Sequence, residues 1–149
     1  MKKIILAAMM LILISSPAFA GGGLDGFMHN LNIRARADMP GFSAQVSTQF
    51  GVPLPRVEAV IRMVDTPADA FMCFQLAEMS RKPYDTVTQV YQTHRGQGWG
   101  VIAKRLGIKP GSSEFHALKR GDFVLSGEPG RSYGKGKEKA KGKGKGHNK

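Results

Sequence analysis

Cysteine is almost absent from this chain, with one residue, Cys73, among 149. A single thiol excludes an intramolecular disulfide framework and any iron–sulfur or zinc site built only from cysteine ligands. The chain also lacks a Cys-x-x-Cys-His segment, which excludes covalent haem attachment of that type. The composition therefore predicts no cofactor, although 42% apolar residues suffice for a packed core.

Acidic residues are scarce as well, with 11 Asp and Glu against 22 Lys and Arg, a formal net charge of +11. Most of the excess lies in residues 131–149, where Gly and Lys nearly alternate and eight basic residues face one acid, Glu138. Residues 21–130 hold twelve basic and ten acidic side chains. This composition predicts a nearly neutral globular part followed by a disordered cationic tail.

The longest apolar run covers only residues 4–14, too short for a bilayer span of about 20 residues. Lys2 and Lys3 precede it, and Pro17 and an Ala-Phe-Ala segment follow it, which is the pattern of a secretory signal peptide over residues 1–20. We expect cleavage after Ala20, no transmembrane segment afterwards, and a periplasmic or secreted protein. Cleavage would leave Gly21 as the first residue, so a lipoprotein-type anchor on a first cysteine is not expected.

Apolar residues recur at helical spacing between residues 41 and 120. The pattern predicts helices near residues 42–50, 57–64, 67–80, 84–94, 99–106 and 112–119. The third begins at Thr66, Pro67 and Asp69, a hydroxyl cap, a first-position proline and a first-turn carboxylate. Because this helix is apolar on nearly every side, we expect it to be the most buried.

Residues 21–40 give the weakest pattern, since Leu31, Ile33 and Ala35 alternate with polar residues and suggest a strand or an extended arm. The predicted fold is thus all-α, a bundle of five or six short helices with an extended N-terminal arm and a disordered Gly/Lys-rich tail. The predicted divisions are the signal peptide 1–20, the arm 21–40, the helical domain 41–130 and the tail 131–149.

Residues 98–112, which read GWGVIAKRLGIKPGS, and residues 114–119, EFHALK, resemble a segment shared by a family of small exported bacterial proteins of unknown function. Residues 50–53, 57–58 and 67–72 resemble the same family, as does the Gly/Lys-rich end. The resemblance covers roughly residues 50–121. It implies an exported protein and transfers no catalytic or binding residue.

The residue types that could catalyse a reaction or bind a metal are few. Cys73 lies between Met72 and Phe74 on the most apolar helix, so we interpret it as buried packing rather than a nucleophile. The histidines lie in four different segments without metal-ligand spacing, at His29, His94, His116 and His147. We therefore predict no catalytic residue and no metal site.

Carboxylates and glycines offer weaker alternatives. A carboxylate pair for glycoside hydrolysis could be drawn from Asp65, Asp69, Glu78 and Asp85, but capping and solvation account for their positions. The spacing of Gly96, Gly98 and Gly100 lacks the final gap of a dinucleotide-binding turn. Trp99 could pack in the core or stack against a ligand, and its register with Ile102 and Leu106 favours the core.

A helix-turn-helix is the sharper alternative, since residues 101–108 and 112–119 have a helix, glycine turn, helix rhythm. The phosphate contacts would come from Lys104, Arg105, Lys119 and Arg120. Export separates the chain from the genome, so DNA reading becomes the first hypothesis only if the signal peptide is not real.

The sequence favours an exported, non-enzymatic binding module of the bacterial envelope or extracellular space. We expect its tail to bind anionic polymers or lipid headgroups, and its helical domain to bind a protein partner that the sequence does not specify. The predicted polyanion-binding residues are Arg131, Lys135, Lys137, Lys139, Lys141, Lys143, Lys145 and Lys149. The alternatives are an envelope enzyme using His94 or His116 near Trp99, and a structural part of a larger assembly.

Overall fold

Seven α-helices form the regular secondary structure of residues 22–126, the part of the chain that the computed structural model describes. The helices are α1 (Leu24–Ala37), α2 (Met39–Phe50), α3 (Leu54–Met63), α4 (Pro67–Ser80), α5 (Tyr84–Thr93), α6 (Trp99–Arg105) and α7 (Ser113–Arg120). The all-α prediction is confirmed. The predicted signal peptide and tail lie outside the described residues.

The N-terminal arm is the part of the prediction that is wrong, because α1 occupies most of residues 21–40. Phe27, Leu31 and Ala35 recur every four residues and are buried, whereas Ile33 is 50% exposed on another face. Those four-residue intervals favour a helix over the alternating pattern. Since α1 packs against α2, α4 and α7, it belongs to the helical body and raises the helix count to seven.

The central position predicted for α4 is confirmed, because α4 contacts α1, α2, α3 and α5. Its start is a capping box, in which the Thr66 side chain accepts from the Asp69 amide and the Asp69 side chain accepts from the Thr66 amide. Phe71 is fully buried, with its ring centroid 5.4 Å from both Phe27 and Phe50. The core is therefore built around one nearly all-apolar helix.

The C-terminal half continues this core with three shorter helices. Helix α5 packs on α4, α6 on α5, and α7 on both α6 and α1. Ser112 caps α7 as predicted, accepting from the Phe115 amide at 3.2 Å. After α7 the chain returns to α2, where the Gln49 side chain donates to the Val124 carbonyl and accepts from the Ser126 amide. None of the helices in residues 22–126 is long and apolar enough to cross a membrane.

Candidate functional site

Trp99 lies at the start of α6 beside a cleft of about 270 Å³. Its indole is buried, and its Nε1 donates to Asp69 Oδ1 at 3.3 Å. The ring stacks on Tyr91 of α5 at a centroid distance of 5.3 Å. The prediction that Trp99 packs in the core is confirmed, although one side of the residue also lines the cleft.

Two of the four carboxylates considered for glycoside hydrolysis, Asp65 and Asp69, line the same cleft. Asp69 is buried, and its Oδ2 accepts from the Thr66 amide at 3.0 Å and from the Thr66 hydroxyl at 2.7 Å. Asp65 accepts from the Tyr91 hydroxyl at 3.0 Å and pairs with Arg95 at 3.1 Å. Asp69 thus caps the start of α4, as predicted. Asp65 lies just before α4 and links it to Tyr91 in α5 and to Arg95 after α5.

Tyr91 lies near both acids, since its hydroxyl donates to Asp65 and its ring stacks on Trp99, which donates to Asp69. Burial raises the pKa of the Tyr91 phenol above its ordinary value, and the neighbouring Asp69 charge raises it further. The phenol therefore stays protonated at neutral pH and remains a donor to Asp65. Arg95 completes the network by lying 5.6 Å from the centre of the Tyr91 ring.

The histidines do not meet in this cleft. His29 on α1 and His116 on α7 are exposed, and His94 Nδ1 lies 3.0 Å from the Val90 carbonyl at the end of α5. None of these three lines the cleft beside Trp99, and His147 lies outside the described residues. Within residues 22–126 no group of three or more His, Cys, Asp or Glu side chains is arranged to hold a metal ion. The histidine arrangement required by the enzymatic alternative is thus not formed at this cleft.

Cys73 is fully buried in α4, as predicted. Burial raises the pKa of its thiol to about 12, and the Asp69 charge also raises it, against a lowering hydrogen bond from Thr88. A thiol with that pKa is protonated at neutral pH, whereas a reactive cysteine needs its thiolate. Cys73 is therefore a packing residue.

The α6–α7 hairpin differs from a DNA-reading helix-turn-helix in its connection. Residues 106–112 separate the two helices, which is seven residues against the three or four of that motif. Leu106 and Ile108 are buried within this connection. The four basic residues of the hypothesis are exposed, so the hairpin has the charge but not the short turn; they are Lys104, Arg105, Lys119 and Arg120.

An uneven distribution of charge along the helical body is the feature that sequence reasoning missed. Residues 22–80 carry four basic and six acidic side chains, whereas residues 81–126 carry eight basic and three acidic ones. Counting residues 21–130 together concealed this asymmetry, which a count divided after α4 would have found. The basic and acidic residues can be counted from the sequence, but the choice to divide the count after α4 needs the helix order.

We define the cationic end as Lys104, Arg105 and Lys109, three exposed residues at the end of α6 and in the turn after it. None of the three forms an ion pair with an acidic side chain of the described part. Arg95 and Arg120 differ, because they pair with Asp65 and Asp122. The cationic end therefore presents charge that the helical body itself leaves unneutralised.

All eight predicted polyanion-binding residues fall beyond residue 126 and so outside the described residues. Comparison with protein-family models, curated proteins and solved structures gives no significant match. The resemblance over residues 50–121 stays a prediction, and function is inferred from the chain's own geometry.

Proposed function

We propose that the protein is an exported, non-enzymatic module that binds polyanions through its cationic end and the residues that follow it. The observation that carries this proposal is the charge asymmetry of the helical body. The basic half, residues 81–126, is the half from which the chain continues into Lys-rich residues 131–149. Two regions of like charge are thus consecutive in the chain.

Electrostatics favour an extended anion as the ligand. Alternate residues of an extended chain lie roughly 7 Å apart, close to the Debye length of about 8 Å at physiological salt. Lysines at alternate positions, as in residues 135–145, therefore repel one another only moderately, while one polyanion can contact several of them. The absence of a histidine from the Trp99 cleft and the protonated Cys73 thiol favour binding over catalysis.

Deleting residues 131–149 tests the role of the tail. We expect unchanged helical content and melting temperature, and loss of most retention on heparin and on anionic vesicles at low salt. If the intact protein neutralises about six phosphates of a DNA duplex, the logarithm of affinity falls with the logarithm of salt with a slope near −5. Equal retention of the truncated protein would overturn the role of the tail.

A charge-matched pair of triple variants tests the cationic end. The variant Lys104→Gln, Arg105→Gln and Lys109→Gln removes three charges from it. The control, Arg36→Gln, Arg56→Gln and Arg62→Gln, removes three exposed charges from α1 and α3. We expect the first variant to elute from heparin at lower salt than the control. Identical elution would show that only the net charge matters.

A further inference from the structure

An apolar groove of about 400 Å³ lies beside the connection from α4 to α5. Its walls are formed by Phe50, Val52, Phe74, Ala77 and Tyr84. The Phe74 ring stacks on Phe50 at 5.8 Å and is tilted against Tyr84 at 5.3 Å. The volume falls within the range of roughly 300–1,000 Å³ of small-molecule sites, which are mostly apolar with a few polar groups.

Cations stand at the edge of this groove. Arg81 and Lys82 follow the last turn of α4, line the groove and are exposed. Glu78 is the one carboxylate in the groove lining. Neither Arg81 nor Lys82 forms an ion pair with an acidic side chain of residues 22–126. The edge of the groove is therefore net positive.

Arg81 also connects the groove to the cationic end. A neighbouring hollow of about 260 Å³ is lined by Arg81, by Lys109 of the cationic end and by Glu114 of α7. Across the two hollows, the three cations Arg81, Lys82 and Lys109 outnumber the two carboxylates Glu78 and Glu114. An apolar surface is thus continuous with the basic surface of the proposed function.

We infer that the groove binds the acyl chain of a phosphorylated lipid, with the lipid phosphate held by Arg81 and Lys82. This inference rests on the proposed function and narrows its ligand class. The aromatic walls favour a hydrocarbon chain through burial of apolar surface, and the two cations favour a phosphate. The Lys-rich tail is a poor occupant, because these cations repel it and its apolar residues are only Tyr133 and Ala140.

Calorimetric titration of the purified protein, with each lipid below its micelle concentration, tests the inference. The probes are lauroyl lysophosphatidate, its headgroup alone as glycerol 3-phosphate, and lauroyl lysophosphatidylcholine. We expect one lysophosphatidate per protein and a negative heat-capacity change, which marks apolar burial. The headgroup and the zwitterionic lipid should each bind at least about tenfold more weakly.

Two variants address the two halves of the site. Ala77→Leu places bulk in the groove, and we expect at least about tenfold weaker lysophosphatidate binding. The double variant Arg81→Asn and Lys82→Gln should weaken binding about 25-fold, which is about fivefold per charge. Asn suits position 81 because Arg81 has a positive φ of 55°. The control Arg36→Gln and Arg62→Gln removes two charges that line neither hollow and should leave the affinity within about twofold.

The outcomes separate this inference from the proposed function. Unchanged heparin retention by Ala77→Leu, together with lost lysophosphatidate binding, would support the groove. Equal binding of glycerol 3-phosphate and lysophosphatidate would overturn the groove and leave polyanion binding intact. The inference would also fail if neither variant weakened binding, or if the wild-type protein formed a dimer that Ala77→Leu abolished. Circular dichroism verifies the fold of each variant. If Ala77→Leu does not fold, the double variant of Arg81 and Lys82 tests the inference instead.

Discussion

At the scale of single residues, Asp69 shows how a side chain that could perform chemistry is used for structure. Its two oxygens accept from Thr66 and from Trp99, which joins the start of α4 to the start of α6. Removing either donor leaves a buried carboxylate oxygen with fewer partners, at a cost of about 1–3 kcal/mol. The cleft beside Trp99 is therefore bordered by residues that the fold itself requires.

Phe71 is the residue whose truncation we expect to cost most. Phe71→Ala should lower the free energy of unfolding by about 3–5 kcal/mol, because it leaves a cavity between Phe27 and Phe50. Phe74→Ala should cost a similar amount. Domain stabilities are about 5–15 kcal/mol, so either change approaches the limit of folding. Urea unfolding measures the loss, and a change below about 1 kcal/mol would contradict the assigned position in the core.

Cys73 should make stability depend on alkaline pH. Its pKa is raised from 9.0 to about 12, so the unfolded chain loses the proton first. The associated stability is fully present below pH 9 and is lost as pH rises toward 12, at about 1.4 kcal/mol per pH unit. Cys73→Ser should remove this dependence, while Tyr91 still titrates in both proteins.

At neutral pH, Cys73→Ser should also lower stability by about 1–3 kcal/mol, because a hydroxyl replaces a buried thiol. Any binding activity should be unaffected. Urea unfolding between pH 7 and pH 11 compares the two proteins. Parallel pH profiles would contradict a buried thiol, and lost binding with an unchanged melting temperature would assign Cys73 to a site.

At the scale of elements, α1 shows how a helix joins the core through close backbone contact. Gly121 ends α7 in a left-handed conformation with φ 65°, and a Cβ there would lie 2.7 Å from the Gly23 carbonyl oxygen. The N-terminal end of α1 thus rests on the C-terminal end of α7. This junction makes α1 part of the helical body rather than an arm.

Two glycine substitutions test that junction. Gly51 ends α2 with a similar φ of 63°, but a Cβ there meets no atom within 4 Å. Gly51→Ala should therefore cost only the left-handed strain of about 1–2 kcal/mol. Gly121→Ala should cost this strain plus about 1–3 kcal/mol for the collision with Gly23. Urea unfolding compares the variants, and equal losses would show that α1 does not rest on α7 in solution.

At the scale of the whole molecule, basic side chains are concentrated in the second part of the described chain. The half of the described chain from residue 81 has an excess of five basic side chains, and the half before it has an excess of two acidic ones. Under the proposed function, we expect the excess of basic side chains to speed association with a polyanion, and added salt to weaken that attraction. Under the inferred lipid site, the groove near Arg81 would add burial of an acyl chain to that attraction.

The secreted form should begin at Gly21. The small residues Ala18 and Ala20 suit signal peptidase, and Pro17 ends the apolar segment before them. Intact-mass analysis of protein from a bacterial host that exports it would show loss of residues 1–20. A chain that retains Met1 in the membrane fraction would contradict export and restore the DNA-reading hypothesis.

The sequence by itself determined the helical class, most helix positions and the buried place of α4, because these depend on local spacing and capping. Thr66 and Asp69 indicated the start of α4. The spacing of Val57 and Val60 indicated the buried face of α3. Burial of Cys73 followed from its apolar neighbours for the same reason. Such signals lie within a few residues of one another.

Residues 24–37 carry both an alternating apolar pattern and the four-residue spacing of Phe27, Leu31 and Ala35, and the tertiary structure decided between them, because that second set packs against the other helices. It also brought Asp65, Asp69, Tyr91 and Trp99 together, and it placed Arg81 between the groove and the cationic end. These groups come from segments far apart in the chain. Their meeting depends on how the helices pack, which local periodicity does not encode.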